Sequence, residues 1–268
     1  MKSIFQFLLI GILFASLGSA FSGEPLSPDV AVRDALKGKH GTLVIIDCRT
    51  MAVIDAFPEE SAKRRPPCST FKIWNTLAGL ENGLISSRDE PFYKWDGTAR
   101  SIPEWNRNLT LKVAFQVSCV PAFQGLARRI GGDGMASWIN TLKYGNGDIS
   151  SGLDVFWLPA EGRRTILISP AEQAELIRKL VKGKLPVSER SRSVLRDLML
   201  ARKTDKGTLY GKTGTGQIDK TTNVGWYVGY AETGTSCLPF ACALFGEGVM
   251  GKDARAVVEN AFEMLGFL

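Results

Sequence analysis

Ser69-Thr70-Phe71-Lys72 sets a hydroxyl and an amine three residues apart, so on a helix the two side chains leave the same face within reach of each other. Pro66-Pro67 come immediately before, which puts Ser69 near a helix N-terminus, where free backbone N–H groups and the helix dipole favour developing negative charge. Lys72 is flanked by Phe71 and Ile73 in a segment apolar on most faces, and burial lowers a lysine toward the range where its neutral amine can act. The chemistry implied is nucleophilic attack by Ser69 with Lys72 as its partner. Two further groups stand out. Lys212-Thr213-Gly214, read as the end of a strand Leu209 to Lys212, offers an ammonium, a hydroxyl and close backbone approach to an anionic group. Ser118-Cys119-Val120 follows the apolar Val113-Ala114-Phe115. Each signal is weak alone: Ser-x-x-Lys occurs by chance on exposed helices, a strand-end lysine is usually solvated, and a buried serine usually bonds a nearby carbonyl.

Composition narrows which base can serve the serine. The 268-residue chain contains a single histidine, His40, so a multi-histidine zinc site is excluded and a Ser-His-Asp triad would have to run through that one residue. His40 precedes the first expected strand and reads as a surface residue. Five cysteines (Cys48, Cys68, Cys119, Cys237, Cys242) show no C-x-x-C spacing, which leaves an iron–sulfur or zinc-ribbon reading without support. Their odd number leaves at least one thiol unpaired. The charge of +6 is modest, and its basic groups, such as Lys63-Arg64-Arg65 and Arg163-Arg164, lack the aromatic interleaving of a nucleic-acid surface. No nucleic-acid partner and no metal are expected.

The elements that must position these residues can be read coarsely. Lys2, an apolar run from Ile4 to Ala15 and the small residues ending at Ala20 have the order of a secretory signal, with a membrane anchor as the competing reading. Residues 1–20 are therefore expected to be removed and residues 21–268 to form one exported catalytic domain, free of the membrane after cleavage. Thr42 to Asp47 and Ala52 to Phe57 read as two strands joined by a turn. Ser69 to Leu80 reads as a buried central helix. Residues 82–202 read as short helices and loops, with one well-marked start where Ser169, Pro170 and Glu172 form a capping box. Strand character returns at Gly207 to Lys212, Asn223 to Ala231 and Leu238 to Phe245, and a final helix carries Ala254 to Leu265. The expected fold class is mixed α/β (α+β): one antiparallel sheet built from both ends of the chain, flanked by helices, with an all-helical subdomain over about 82–202.

Ser-x-x-Lys, a later serine and Lys-Thr-Gly, in that order, are the signature of penicillin-recognising serine enzymes. With Trp105-Asn106 and Thr110 ahead of Ser118-x-Val120, then Tyr144-Gly145-Asn146 and Trp157-Leu158, the chain resembles the class D, or oxacillinase-type, β-lactamases from about Thr42 to the C-terminal helix. The resemblance implies a β-lactamase/transpeptidase-like fold and hydrolysis of penicillins, with a small-molecule β-lactam as the partner and resistance as the outcome. It implies that Ser69 is acylated and that Lys72 is the general base, carboxylated by CO2 or bicarbonate to N6-carboxylysine, with no other cofactor. Val120 and Leu158 would form a dry wall around that base, and Trp157 would donate its indole N–H to it. Ser118 would pass a proton to the β-lactam nitrogen, and the backbone N–H groups of Ser69 and Thr215 would form the oxyanion hole. Lys212, Thr213, Gly214 and Arg255 would bind the substrate carboxylate, while Tyr144 and Asn146 shape the wall of the site.

Cys68 beside the nucleophile and Cys119 inside the second motif read as small packing residues, and the sequence does not choose disulfide partners. Oligomeric state stays open, a homodimer included. A transpeptidase or carboxypeptidase would share two motifs but not the Val120 and Trp157 pattern. An antibiotic sensor would share the fold and acylation but deacylate very slowly.

Overall fold

The computed structural model describes residues 27–268, so the expected leader, residues 1–20, lies outside the described residues. Helix α1 (Pro28–Ala35) leads into β1 (His40–Ile46), and a turn returns the chain as β2 (Val53–Asp55). Asp47 holds that turn by accepting from the Arg49 backbone N–H at 2.8 Å. Helix α2 (Pro58–Ser61) follows, and then a 3-10 turn over Cys68–Phe71 runs directly into α3 (Lys72–Glu81). A short ribbon of β3 (Pro91–Tyr93) and β4 (Leu109–Thr110) precedes α4 (Leu111–Gln116), α5 (Val120–Ile130) and α6 (Gly132–Leu142). After a loop come α7 (Pro170–Val181) and α8 (Glu189–Met199). The chain closes with β5 (Leu200–Lys203), β6 (Gly207–Gln217), β7 (Asn223–Thr233), β8 (Cys237–Gly246) and α9 (Gly251–Met264).

The main sheet has the order β2-β1-β8-β7-β6-β5 and is antiparallel throughout. Strands from both ends of the chain meet where β1 pairs with β8, so the expected mixed architecture is present. Both faces are buried, which is why these strands read as continuous apolar runs rather than alternating ones. On β7, Val224, Trp226, Val228 and Tyr230 face the helical half of the molecule, whereas Tyr227 and Ala231 face α1 and α9. On β1, Val44 and Ile46 take the first face and Leu43 and Ile45 the second. The period of two therefore divides each run between two cores.

Three expectations change in detail. Ser69 sits in the 3-10 turn, and the α-helix proper begins at Lys72. The strand carrying Lys212 does not end there: β6 keeps ladder register with β7 from Gly207↔Thr233 to Gln217↔Asn223, so Lys-Thr-Gly lies in its interior. The glycines that look like a strand terminus are accommodated because neighbours pack directly on them, the Pro67 carbonyl at Gly214 and Pro159 with Cys68 at Gly216. The segment 82–202 is also not entirely helical, since β3 and β4 pair within it and β5 begins at Leu200. Helix α7, whose capping box forms as expected, packs on β8 and β1 and so belongs to the sheet layer. His40 is the exposed first residue of β1, set edge-on to Phe245.

Candidate active site

The nucleophile turn is locked before any chemistry is considered. The Trp226 indole N–H donates to the Pro66 carbonyl at 2.9 Å, and Thr70 Oγ1 donates to the Pro67 carbonyl at 2.7 Å. Gln173 of α7 reaches Thr70 Oγ1 at 3.2 Å. Cys68 is fully buried with φ 53°, a left-handed conformation that a non-glycine residue adopts only when its surroundings enforce it. This turn presents Ser69, 9% exposed, at the start of α3.

Lys72 is fully buried, and its Nζ donates to Ser69 Oγ at 2.8 Å. The Phe123 ring of α5 lies 5.4 Å from that nitrogen. Burial pushes the ammonium down to about 7, with Cys119 and Cys68 nearby acting in the opposite direction. At neutral pH a large share of Lys72 is therefore the free amine.

A second serine–lysine pair faces the first. Lys212 Nζ donates to Ser118 Oγ at 2.7 Å and to the Thr213 carbonyl at 2.9 Å. Burial, and then the charge of Lys72, holds Lys212 well below the ordinary lysine range. Ser118 stands between α4 and α5 with φ 57°. That strained turn is supported by the Trp105 indole, which donates to the Val117 carbonyl at 3.0 Å, and by Thr110, which caps α4.

Strand β6 is clamped from two sides. A Cβ on Gly214 would lie 3.0 Å from the Pro67 carbonyl oxygen, and one on Gly216 would lie 2.6 Å from Cys68 Sγ and 2.5 Å from Pro159. The opposite side carries the start of α9, where a Cβ on Gly251 would meet the Gly214 carbonyl oxygen at 2.7 Å. Thr215 Oγ1 accepts from the Gly251 N–H at 2.8 Å. The backbone of Thr215 is thus fixed relative to both the nucleophile turn and α9.

The remaining predicted residues fall around this centre. Trp157 is fully buried, stacked on Phe71 with centroids 5.5 Å apart, and its indole N–H has no partner among the described residues. Tyr144 packs edge-on to Phe71 at 5.4 Å, and burial raises its phenol well above the usual range. Asn146 accepts from the Leu167 N–H at 2.8 Å, tying down the loop that carries Trp157 and Leu158. Leu158 packs partly buried against the main core, and Val120 is the half-buried first residue of α5. Arg255 lines a hollow of about 270 Å³ together with Lys212 and Thr213, with its Nε engaged by Glu259 at 2.8 Å.

Ser69, Lys72, Ser118 and Lys212 are brought together as two hydrogen-bonded pairs. Tyr144 and Asn146 lie behind them as scaffold. The sequence reading did not single out Trp226, Gln173, Phe123 or Gly251. A tryptophan in an apolar strand gives no sign that its N–H will hold a carbonyl far away in the chain, and a glycine opening a helix shows its purpose only once β6 lies against it.

The fold and the paired serines and lysines define a serine enzyme of the penicillin-recognising type. Residues 41–263 match the family of penicillin binding protein transpeptidase domains. The chain is 36% identical over 235 residues to the probable beta-lactamase YbxI of Bacillus subtilis, covering 87% of this chain and 85% of that one. It is 32% identical over 245 residues to beta-lactamase OXA-5 of Pseudomonas aeruginosa, covering 90% and 88%. The crystal structure of a class D beta-lactamase from Bacillus subtilis matches with a TM-score of 0.82 at 33% identity, over 88% of this chain and 96% of that one. The chain belongs to the class D β-lactamases, within the penicillin-binding transpeptidase family.

Proposed function

We propose that this protein hydrolyses β-lactams, penicillins among them, through an acyl-enzyme formed on Ser69, and that a bacterium carrying it gains resistance. The observation that carries the reading is the fully buried Lys72 amine, 2.8 Å from Ser69 Oγ and shifted to about 7. A neutral amine at that distance can take the hydroxyl proton as the serine attacks the lactam carbonyl. The N–H groups of Ser69 and Thr215 then hold the developing oxyanion, and the clamping of β6 between the nucleophile turn and α9 keeps the second donor in place. Ser118, which accepts from Lys212, has its own hydroxyl proton to pass to the departing lactam nitrogen. Lys212, Thr213, Gly214 and Arg255 draw in the substrate carboxylate.

The residues around Lys72 also fit a carboxylated lysine. The buried Trp157 indole N–H lacks an acceptor among the described residues, and an unmet buried donor is unfavourable unless something fills its place. Bound to Lys72 as a carbamate, CO2 would supply an acid–base oxygen, with Trp157 as donor to it and Val120, Leu158 and Phe123 keeping the site dry. We also read residues 1–20 as an export signal that delivers the enzyme to the periplasm or the exterior. Among the described residues no helix is long and apolar enough to cross a membrane.

Turnover of a chromogenic penicillin, with and without added bicarbonate, tests the proposal. The expected result is sustained turnover that bicarbonate increases, and a Trp157→Phe variant that depends on bicarbonate more strongly than the parent. Stoichiometric labelling of Ser69 without turnover would assign a sensor instead. Full activity in Lys72→Ala would overturn the mechanism.

A further inference from the structure

Cys48 and Cys237 are far apart in the sequence and meet at one end of the sheet. The ladder between β1 and β8 runs from His40↔Phe245 to Ile45↔Phe240, and the same register continued past β1 sets Cys48 opposite Cys237. The continuation is real, because the Cys48 N–H donates to the Cys237 carbonyl at 3.0 Å. Directly opposed residues on antiparallel strands point to the same face, and a hydrogen-bonded pair has Cα atoms about 5.5 Å apart, inside the range that a disulfide spans. The other three cysteines have no such opposite number. Cys242 is fully buried and registers with Leu43 and Tyr227, while Cys68 and Cys119 are sealed beside Lys72.

Cys48, 8% exposed, and the half-buried Cys237 both line one surface hollow of about 480 Å³ with Lys182, Glu232 and Ser236, which is the side from which a small reagent would approach the pair. We propose that Cys48 and Cys237 are a covalent modification site, joined by oxidation into an intramolecular disulfide that staples the end of β1 to the start of β8. The oxidant is a disulfide of the glutathione or dithiol-oxidase class. One cysteine thiolate attacks it and expels a first thiol. The second cysteine attacks the resulting mixed disulfide and expels another. The two cysteine protons end on the two released thiols, and two electrons pass from the pair to the oxidant. Burial raises both thiols above their ordinary range, so the uncatalysed reaction is slow at neutral pH and faster in mild alkali. The bridge encloses Ser69 and all the β-lactamase motifs in one covalent loop, yet touches none of the residues assigned to the reaction.

The test is to treat the purified protein with oxidised glutathione in mildly alkaline buffer, alkylate the remaining thiols and map the peptides by mass spectrometry. The expected product is a chain lighter by two hydrogens in which the Cys48 and Cys237 peptides are linked. Its Tm should fall by about 5 °C or more on reduction, a drop absent from both Cys48→Ser and Cys237→Ser. Alkylation of both residues after oxidation, a lasting glutathione adduct on either, or linkage through a different cysteine would each overturn the proposal. The readout is independent of β-lactam turnover, so its failure and that of the enzymatic reading are separable.

Discussion

The two serine–lysine pairs are chemically alike and built in opposite ways. Ser69 and Lys72 are three residues apart and meet at 2.8 Å because a 3-10 turn leads into α3. Ser118 and Lys212 are 94 residues apart and meet at 2.7 Å because the α4–α5 turn is brought up against β6. The first pair depends on local backbone geometry and on burial. The second depends on every contact that holds the helical half to the sheet. Burial shifts both lysines downward, and the charge of Lys72 adds to the effect at Lys212. The local pair therefore meets within one segment, and the long-range pair only where two segments far apart in the chain are brought together.

Replacing Lys72 with Met breaks the local pair and has the largest expected effect. Activity should fall by at least about 10³-fold, since a serine nucleophile without its base is weak. Stability should move the other way. Lys72 binds its proton less tightly in the folded chain than in the unfolded one, so the unfolded state holds more protons between about pH 7 and the ordinary lysine value of 10.5. Stability from this group is thus lowest below about 7 and recovers as pH rises through that window. Lys72→Met should flatten this part of the profile and, at neutral pH, gain on the order of a few kcal/mol, read as a higher Tm. An unchanged or lower Tm with an unchanged pH profile would count against a desolvated lysine.

The long-range pair is better probed through its supports. Gly216→Ala places a methyl group 2.5 Å from Pro159 and 2.6 Å from Cys68 Sγ, so β6 must move away from the nucleophile turn. Overpacking of this kind should cost about 1–3 kcal/mol, or roughly 3–9 °C in Tm, with a parallel loss of turnover as Lys212 and Thr215 shift. Gly234→Ala, in the β7–β8 turn with no atom within 4 Å of the new methyl, is the matched control and should leave both unchanged. Equal effects at the two positions would remove the clamp from the account.

What could be read from the chain follows the same division. The Ser69–Lys72 pair, the capping box at Ser169 and the apolar runs of β1, β7 and β8 are local patterns, set by spacing of a few residues. The Lys212 motif reads as a strand terminus because Gly211, Gly214 and Gly216 lower strand propensity around it. Its interior place in β6 depends on ladder partners in β7 and on α9, which no window around Lys212 contains. The β3–β4 ribbon escaped for a related reason: Leu109–Thr110 is two residues long and pairs across a gap filled by a loop. Arg255 could be placed only by resemblance; its Nε is engaged by the Glu259 carboxylate one helical turn later, a contact that no window around the Lys212 motif contains.

The smallest predicted effect is the most discriminating. Trp105→Phe keeps the aromatic ring and removes only the N–H that donates to the Val117 carbonyl at 3.0 Å. That carbonyl immediately precedes Ser118, whose left-handed backbone at φ 57° is held by its surroundings rather than by its own preference. Loss of one half-buried hydrogen bond should cost about 1 kcal/mol, within a few degrees of the parent Tm. If the bond serves only folding, turnover will be untouched. If it holds Ser118 against Lys212, kcat should fall several-fold to about tenfold while labelling of Ser69 remains stoichiometric, because about 1.4 kcal/mol of lost positioning is a factor of ten in rate. The local pair does not lean on this bond: Lys72 reaches Ser69 within one segment, whose turn is held by Trp226 and Gln173 instead, and the same substitution should leave its titration near 7 unmoved.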